Sequence, residues 1–486
     1  MPTNKPTFLV SIAACLIFLF LAFSIPVEFK VWIQDTAART LDYFGGYYLF
    51  LGLAIVLALL SIAVSPLGNT RLGDGPVAYG WFSWVAMLYS TGMGAGLMLR
   101  AVQEPVYYYT QAPRPSVLDP DIFALEYTFF HWGLTPWAFY GMFGLIIGYL
   151  VYGKGRLMLS SSVLAGRFQK PWLSVPIDVI TIISTLFGVV GAVGLGSRQL
   201  LAGFRELFGL LDVNYTNNAW VVVFLGSLAT LSAFTGLSQG IRNLSRFNIA
   251  LALFLMLFTW FSGDLFGVFV TFFLALTSYL QDFLPMSLNI GSMKVEQDFL
   301  MDWTYFYWAF WLSWAPFTGV FIARISRGRT FREFILGVLL VPSLGTFFWF
   351  AVFGSQAFAL IGDPETYAGQ FDSLYGSIFV FFDSLPMAGI IKSLGLLLVF
   401  TFLITSIDSA IYVLGMFADN GNMEPRKRNL LGWGLILVLF TVATIFVGRE
   451  QLLESISQLL VLMALPFSWV YLLMISSFLY ILYRSK

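Results

Sequence analysis

The chain has 486 residues, of which 58% are hydrophobic and 11% charged, and its 26 basic and 26 acidic side chains cancel to a formal net charge of zero. A soluble globular chain carries about 25% charged residues, so these charges are too few to coat a water-facing surface, and a neutral chain offers no general handle for a polyanion. The only cysteine, Cys15, lies inside the first apolar run, which leaves no disulfide framework and suggests no redox chemistry.

A helix needs about 20 predominantly apolar residues to cross a hydrocarbon core of ~30 Å. Twelve stretches reach that length, over approximately 8–25, 46–64, 80–103, 126–151, 176–209, 219–236, 244–281, 303–323, 333–361, 391–417, 430–447 and 455–483. The first is followed by Pro26, Val27 and Glu28 rather than a small-residue cleavage site, so it reads as a retained helix. Two stretches, 176–209 and 244–281, exceed one span and predict tilt, a kink or extension into water. Most basic residues fall in every second connection, among them Arg71, Lys154, Arg156, Arg324, Arg327, Arg329, Arg332, Arg426, Lys427 and Arg428. Positive charge marks the cytoplasmic side, so even-numbered helices end inside and both termini are expected there. The opposite connections are acidic, with Asp119, Asp121, Asp282, Glu296, Asp298, Asp363 and Asp372. No Gly/Ser-rich linker interrupts the chain, and the longest polar gap lies between Gln281 and Trp303. A single all-α membrane domain is expected over 1–486, with two N-terminal helices in 1–79 and two halves over 80–281 and 303–483.

In chain order, helix three carries Gly92, Met93, Gly94, Ala95 and Gly96. Each glycine lowers helix propensity by up to ~1 kcal/mol, and an unwound stretch turns amides and carbonyls toward a ligand. The same spacing also fits a GxxxG packing seam. Helix four carries Trp132, Trp137 and Tyr140 around Pro136, and helix eight carries Trp308, Trp311 and Trp314 at three-residue steps beside Pro316. Aromatic residues make up 18% of the chain, and such stripes commonly pack a core or form an interfacial belt. These two groups lie well inside their spans, whereas belts lie at the ends. Facing indoles would form a box for a quaternary ammonium, which has no N–H to donate and is held by cation–π attraction of up to ~2 kcal/mol per ring. Helices interrupted near Gly94 and Pro316, at matching positions of two halves, are the pattern of an inverted-repeat carrier, with helices three to seven paired to eight to twelve.

Helix ten contains Thr405, Ser406, Asp408 and Ser409 in an apolar run. Such hydroxyls often bond their own helix backbone; alternatively, they join carbonyls of helix three around sodium, a hard cation that takes oxygen ligands. An intramembrane Asp408 is a functional candidate because a charge there is costly without a partner. His131 is the only histidine, and without an HExxH or cysteine cluster a metal or nucleophilic site has little support. The LGDG at 72–75 falls in a loop and is not read as an intramembrane protease motif.

These residues resemble the betaine/choline/carnitine transporter (BCCT) family. The resemblance spans most of the chain: GMGAGLM at 92–98 with Glu104 and Pro105, FHWGLTPWAFYG at 130–141, FGVVGAVGLGSRQ at 187–199, GIRNLSRFN at 240–248, DWTYFYWAFWLSWAPFTGVFIARISRGRTFREF at 302–334 and TSIDSAIYVLGM at 405–416. It implies the leucine-transporter-type (LeuT) fold, with two extra helices before ten in inverted repeat, a homotrimer and alternating access. By position, the family's aromatic box corresponds to Trp132, Trp137, Tyr140 and Trp311, with Trp308, Phe310 and Trp314 nearby and the backbone of Gly92, Met93, Gly94 and Gly96 beside it. The family's principal sodium site corresponds to the hydroxyls of Thr405 and Ser406 with main-chain oxygens of Ser90, Met93 and Phe402. No basic or thioether side chain replaces the ion near Ile249, which favours sodium coupling. A second sodium site of the family has Thr185 here but Val189 in place of its other oxygen.

Gly96 stands where choline carriers of the family have aspartate, so the resemblance implies a zwitterion such as glycine betaine. Arg100 stands where tryptophan is usual; it either pairs with Glu104 four residues on or guides an anionic group, admitting carnitine or a sulfonate. Members that sense osmotic stress carry long charged tails, and this chain ends at Lys486 after helix twelve, so transport without strong osmotic activation is expected. The reading is a sodium-coupled symporter and not an enzyme, with no organic cofactor and no nucleic-acid partner. The alternatives are a sodium-independent exchanger of the carnitine type, or a symporter of choline, ectoine or a taurine-like solute. A channel would need a filter, and no TVGYG is present.

Overall fold

Inside a bilayer no water is available to the peptide groups, so an apolar run must satisfy them within its own helix. The computed structural model describes residues 5–484 apart from 93, 117, 166, 167, 169 and 237, and among these every regular element is helical. One isolated bridge, Arg71 to Thr330, is the exception. The chain is an all-α membrane protein: eleven described segments are long and apolar enough to cross a bilayer, or twelve when one bent pair counts as a span.

Helix α1 (Lys5–Ser24) turns at Ile25 into α2 (Pro26–Val64), where Pro26 takes a first-turn position that needs no donor. With 39 residues α2 is ~58 Å long at 1.5 Å per residue, far more than the predicted 46–64. Its first half buries Phe29, Ile33, Ala37, Leu41 and Gly45. That four-residue step is the stripe of an amphipathic helix, a signal that a search for uniformly apolar runs passes over.

The third span is broken into α3 (Trp81–Gly92), α4 (Ala95–Arg100) and α5 (Gln103–Thr110), with a bend of 56° between 81–90 and 95–110. The fourth is α6 (Pro120–Trp132) and α7 (Leu134–Gly148), followed by α8 (Pro171–Phe208), α9 (Tyr215–Thr235) and α10 (Ser238–Phe261). The predicted seventh span, 244–281, is two helices: the chain stops at Phe261 and restarts as α11 (Leu265–Leu288), because the Asp264 carboxylate accepts from the amides of Phe266 and Gly267 at 3.1 and 2.9 Å and caps a new N-terminus. A turn, α12 (Gln297–Phe299), and a π-helical stretch over Leu300–Tyr305 lead into α13 (Phe306–Ile325). The chain continues through α14 (Phe331–Ile361), α15 (Ser377–Phe382), α16 (Ala388–Ala418), α17 (Lys427–Gly448) and α18 (Leu452–Arg484).

The basic connections gather at one end of the bundle. Leu72 donates its amide to the Arg329 carbonyl and Gly328 to that of Leu72, Arg332 reaches the Ala63 carbonyl, and Lys427 lies over the Phe234 ring. Helix α10 leaves this end and α13 returns to it, so α11, which runs beside α6 with Ser278 bonded to Glu126, adds no net crossing. The continuous apolar segment 427–484 holds two spans, α17 and α18, so with α11 set aside twelve crossings remain, as the sequence predicts.

One expectation about helix breaks fails. The glycine cluster does interrupt its helix, but α13 runs unbroken through Trp314, Pro316 and Gly319. A proline removes one hydrogen bond and crowds one carbonyl, and burial on neighbouring helices tolerates this. The irregularity of this span lies earlier, in the π-helical turn over Leu300–Tyr305.

Candidate binding site

Two interruptions shape the centre of the bundle. Between α3 and α4 the chain leaves the helix, with Gly94 extended at φ −158° and ψ 177°. Met93 lies outside the described residues, as do the side-chain surroundings of Thr91 and Gly92. Between α6 and α7 the break falls at Gly133, where a Cβ would lie 2.4 Å from the Phe347 ring, so only glycine fits. Pro136 then sits in the first turn of α7, where its missing N–H costs nothing. Breaking the span frees carbonyls at the end of α6, and that of His131 accepts from Trp311 Nε1 at 3.0 Å.

The predicted aromatic groups meet. Trp132 and Trp311 are edge to face, 5.1 Å between centroids at 68°; Tyr140 stands perpendicular to Trp311 at 6.3 Å, and Trp137 perpendicular to Tyr140 at 5.4 Å. All four are buried. A Cβ on Gly96 would lie 3.4 Å from the far edge of Trp132, so the glycine segment borders the same cluster.

Two predicted members point elsewhere. Trp308 is buried against α2, where a Cβ on Gly52 would lie 2.8 Å from its Nε1, and against Phe130 at 5.1 Å. Trp314 turns to α8 and donates Nε1 to the Gly188 carbonyl at 2.9 Å. Three residues advance a helix by 300°, so each step of the 308, 311, 314 series rotates 60° away from the last. The series is a fan rather than one face, and only its middle member meets Trp132. Phe310 lies between, 4.9 Å from Trp311 and 5.8 Å from Trp314.

Residues of the predicted ion site lie on α3 and α16. The Thr405 hydroxyl is 3.0 Å from the Phe402 carbonyl and 3.1 Å from that of Thr401, and accepts from Asn248 Nδ2 at 3.3 Å. Two predicted oxygen ligands are thus adjacent, although the threonine bonds its own backbone, as hydroxyls in apolar helices often do. Ser406, on the next position of α16, is half-buried, and the Ser90 hydroxyl donates to the Met87 carbonyl at 2.8 Å. Helix α4 reaches α16 across Gly196, where a Cβ would lie 2.6 Å from Leu403 and 3.5 Å from Ala95. Asp408 keeps Oδ1 without a hydrogen-bond partner among the described residues. The Thr185 hydroxyl bonds the Thr181 carbonyl, and Val189 is buried with no oxygen to add.

Arg100 adopts the pairing expected at a four-residue spacing, Nε to Glu104 Oε2 at 3.9 Å. It also bonds Gln103 at 2.6 Å and lies 5.0 Å over the Trp303 ring. With Tyr107, Asp302 and Glu454 it lines a cavity of about 510 Å³. Sequence reasoning passed over Tyr307, which stacks on Trp311 at 5.6 Å and 17° and bonds Glu104. Its place four residues before Trp311 was the available signal.

The sequence model described as "BCCT, betaine/carnitine/choline family transporter" matches residues 6–486. The chain is 37% identical over 465 residues to a glycine betaine transporter, OpuD, of Bacillus subtilis, covering 93% of this chain and 88% of that protein. It is 31% identical to an ectoine/hydroxyectoine transporter of Virgibacillus pantothenticus, covering 98% and 96%. Among solved structures, a Na+-coupled sialic acid symporter aligns with a TM-score of 0.48 at 13% identity, over 87% of this chain and 86% of that one.

Proposed function

This chain belongs to the betaine/carnitine/choline transporter family, and from that premise we propose that it is a sodium-coupled symporter of a quaternary-ammonium zwitterion, glycine betaine foremost. The observation that carries the proposal is the meeting of Trp132 and Trp311, from two different spans, beside a backbone that is not helical. Trimethylammonium carries its charge on a surface without N–H groups, so π-faces bind it where a hydrogen-bonding site would not. Trp132, Trp137, Tyr140 and Trp311 are the walls, with Gly94 and Gly96 supplying backbone toward the carboxylate. Gly96 adds no negative charge, which suits a substrate with a carboxylate of its own better than choline.

Thr405 and Ser406, with main-chain oxygens of Ser90, Met93 and Phe402, hold sodium between the broken helix and α16. In this mechanism the ion draws the two elements together, the break takes the shape that completes the box, and each ligand raises the affinity of the other by the same factor. A membrane potential adds ~2.3 kcal/mol per charge per 100 mV, about fifty-fold accumulation for one sodium before its own gradient is counted. The protein works in the cell membrane with the basic end and both termini in the cytoplasm, the ten spans after α2 forming two inverted halves, and three copies assembling.

Uptake of radiolabelled betaine, carnitine, choline, ectoine and taurine into liposomes, with and without sodium, tests the substrate and the coupling. Betaine is expected to accumulate only with a sodium gradient, and the double substitution T405A/S406A to abolish that drive. Sodium dependence retained in the double variant removes this ion site. Full-rate exchange without sodium against a preloaded counter-substrate would make the protein an exchanger.

A further inference from the structure

Both indoles of the central pair are held, directly or through one intermediate ring, by a single carboxylate. Glu104 lies on α5, the continuation of the broken span, and is completely buried. Its Oε2 accepts from Trp132 Nε1 at 3.1 Å and from the Tyr307 hydroxyl, and the Tyr307 ring lies parallel to Trp311 at 5.6 Å. A carboxylate oxygen has two lone-pair sites and so takes both donors at once. Arg100 stands 3.9 Å from the same oxygen and supplies the opposite charge that a buried carboxylate requires. The ring of His131, whose backbone carbonyl anchors Trp311, is fixed in turn by Tyr108 at 2.9 Å and Thr304 at 3.0 Å.

We propose that Glu104 is a positioning residue, setting the Trp132 ring from one side and the Trp311 ring, through Tyr307, from the other. This rests on the reading of that aromatic cluster as the substrate site. Glu104 belongs to neither wall. It moves with the segment that follows the α3–α4 break, so a change of shape at the break carries one oxygen and swings both rings together. The ring geometry thereby follows the conformation of the broken span, which gives ion binding a route of named contacts to the box.

Four full-length proteins decide it: wild type, E104Q, E104M and Y307F, labelled with 5-fluorotryptophan and observed by fluorine NMR without substrate, with the Trp132 and Trp311 signals assigned from W132F and W311F. Glutamine keeps an acceptor oxygen at this position and methionine keeps the volume without one. The Trp132 and Trp311 signals are expected to shift or broaden in E104M and to return toward wild type in E104Q. In Y307F only Trp311 is expected to move, because Trp132 still bonds the carboxylate. Signals of remote Trp433 and Trp349 report the fold, and should E104M not fold, Y307F decides alone. In liposomes the betaine KM is expected to rise about tenfold in E104M, ~1.4 kcal/mol, with the maximal rate within about twofold. Rings unmoved in E104M, E104Q no closer to wild type than E104M, or Trp311 unmoved in Y307F overturns the proposal. If the wild type takes up no quaternary ammonium compound, the substrate reading falls while the ring shifts still report on Glu104.

Discussion

In the proposed function recognition turns on Trp132 and Trp311, and their geometry sets the size of the effect expected from each. A desolvated ring contributes up to ~2 kcal/mol to a cation, so W132A or W311A is expected to raise the betaine KM about thirty-fold. Trp308, three positions from Trp311 but turned to Gly52, is expected to show its loss as reduced stability of the purified protein instead, because it fills a slot between α2 and α6. Comparing KM and thermal midpoint across W308F, W311A and W132A checks that division; a KM for W308F as high as for W311A argues against it. Arg100 lies behind the aromatic pair, over Trp303 and Tyr307, bonded to Gln103 and ion-paired with Glu104. Its partners account for its charge inside the protein. An R100W variant is therefore expected to keep the wild-type order of preference among betaine, carnitine and taurine, read from competition for labelled betaine uptake. A changed order would show that the guanidinium meets the substrate.

At the scale of elements, the glycines matter as surfaces as much as hinges. Helix α3 lies on α14 through two notches: a Cβ on Gly337 would lie 2.2 Å from the Trp84 ring, and one on Gly345 1.9 Å from that of Tyr89. Trp84 is further held by Ser326 at 2.9 Å, and Arg329 lies 3.9 Å over its ring. Overpacking a tight contact costs ~1–3 kcal/mol, so Gly345→Ala is expected to lower the thermal midpoint, while Gly432→Ala, whose Cβ meets nothing within 4 Å, is neutral or slightly stabilising. Equal midpoints for the two would show that α3 does not need the notch. The break at Gly94 was legible because several weak helix formers coincide there. The continuity of α13 was not, because one proline reads alike whether packing overrides it or not.

For the molecule as a whole, the alternation of charge along the chain became a physical end of the bundle: loops and helix starts carrying Arg71, Arg329, Arg332 and Lys427 lie against neighbouring chain segments at one end. On a Cys15→Ser background, Lys154→Cys is expected to resist a membrane-impermeant maleimide on intact cells and to react after permeabilisation, whereas Glu365→Cys reacts in both. The reverse pattern would invert the orientation. Twelve crossings follow from hydropathy, yet the partition near α10 and α11 does not, because Ser262 to Asp264 form too short a polar gap to register as the end of a helix.

Membrane residence, the number of crossings, the place where one helix yields and the supply of aromatic rings suited to a quaternary ammonium can all be read along the chain, because hydrophobic length, glycine content and ring chemistry are properties of local sequence. Which tryptophans face one another, and that Glu104 and Tyr307 contact them, emerges only when the helices pack. Side-chain direction on a helix rotates 100° per residue, and the partner of each face is supplied by a segment far away in the chain.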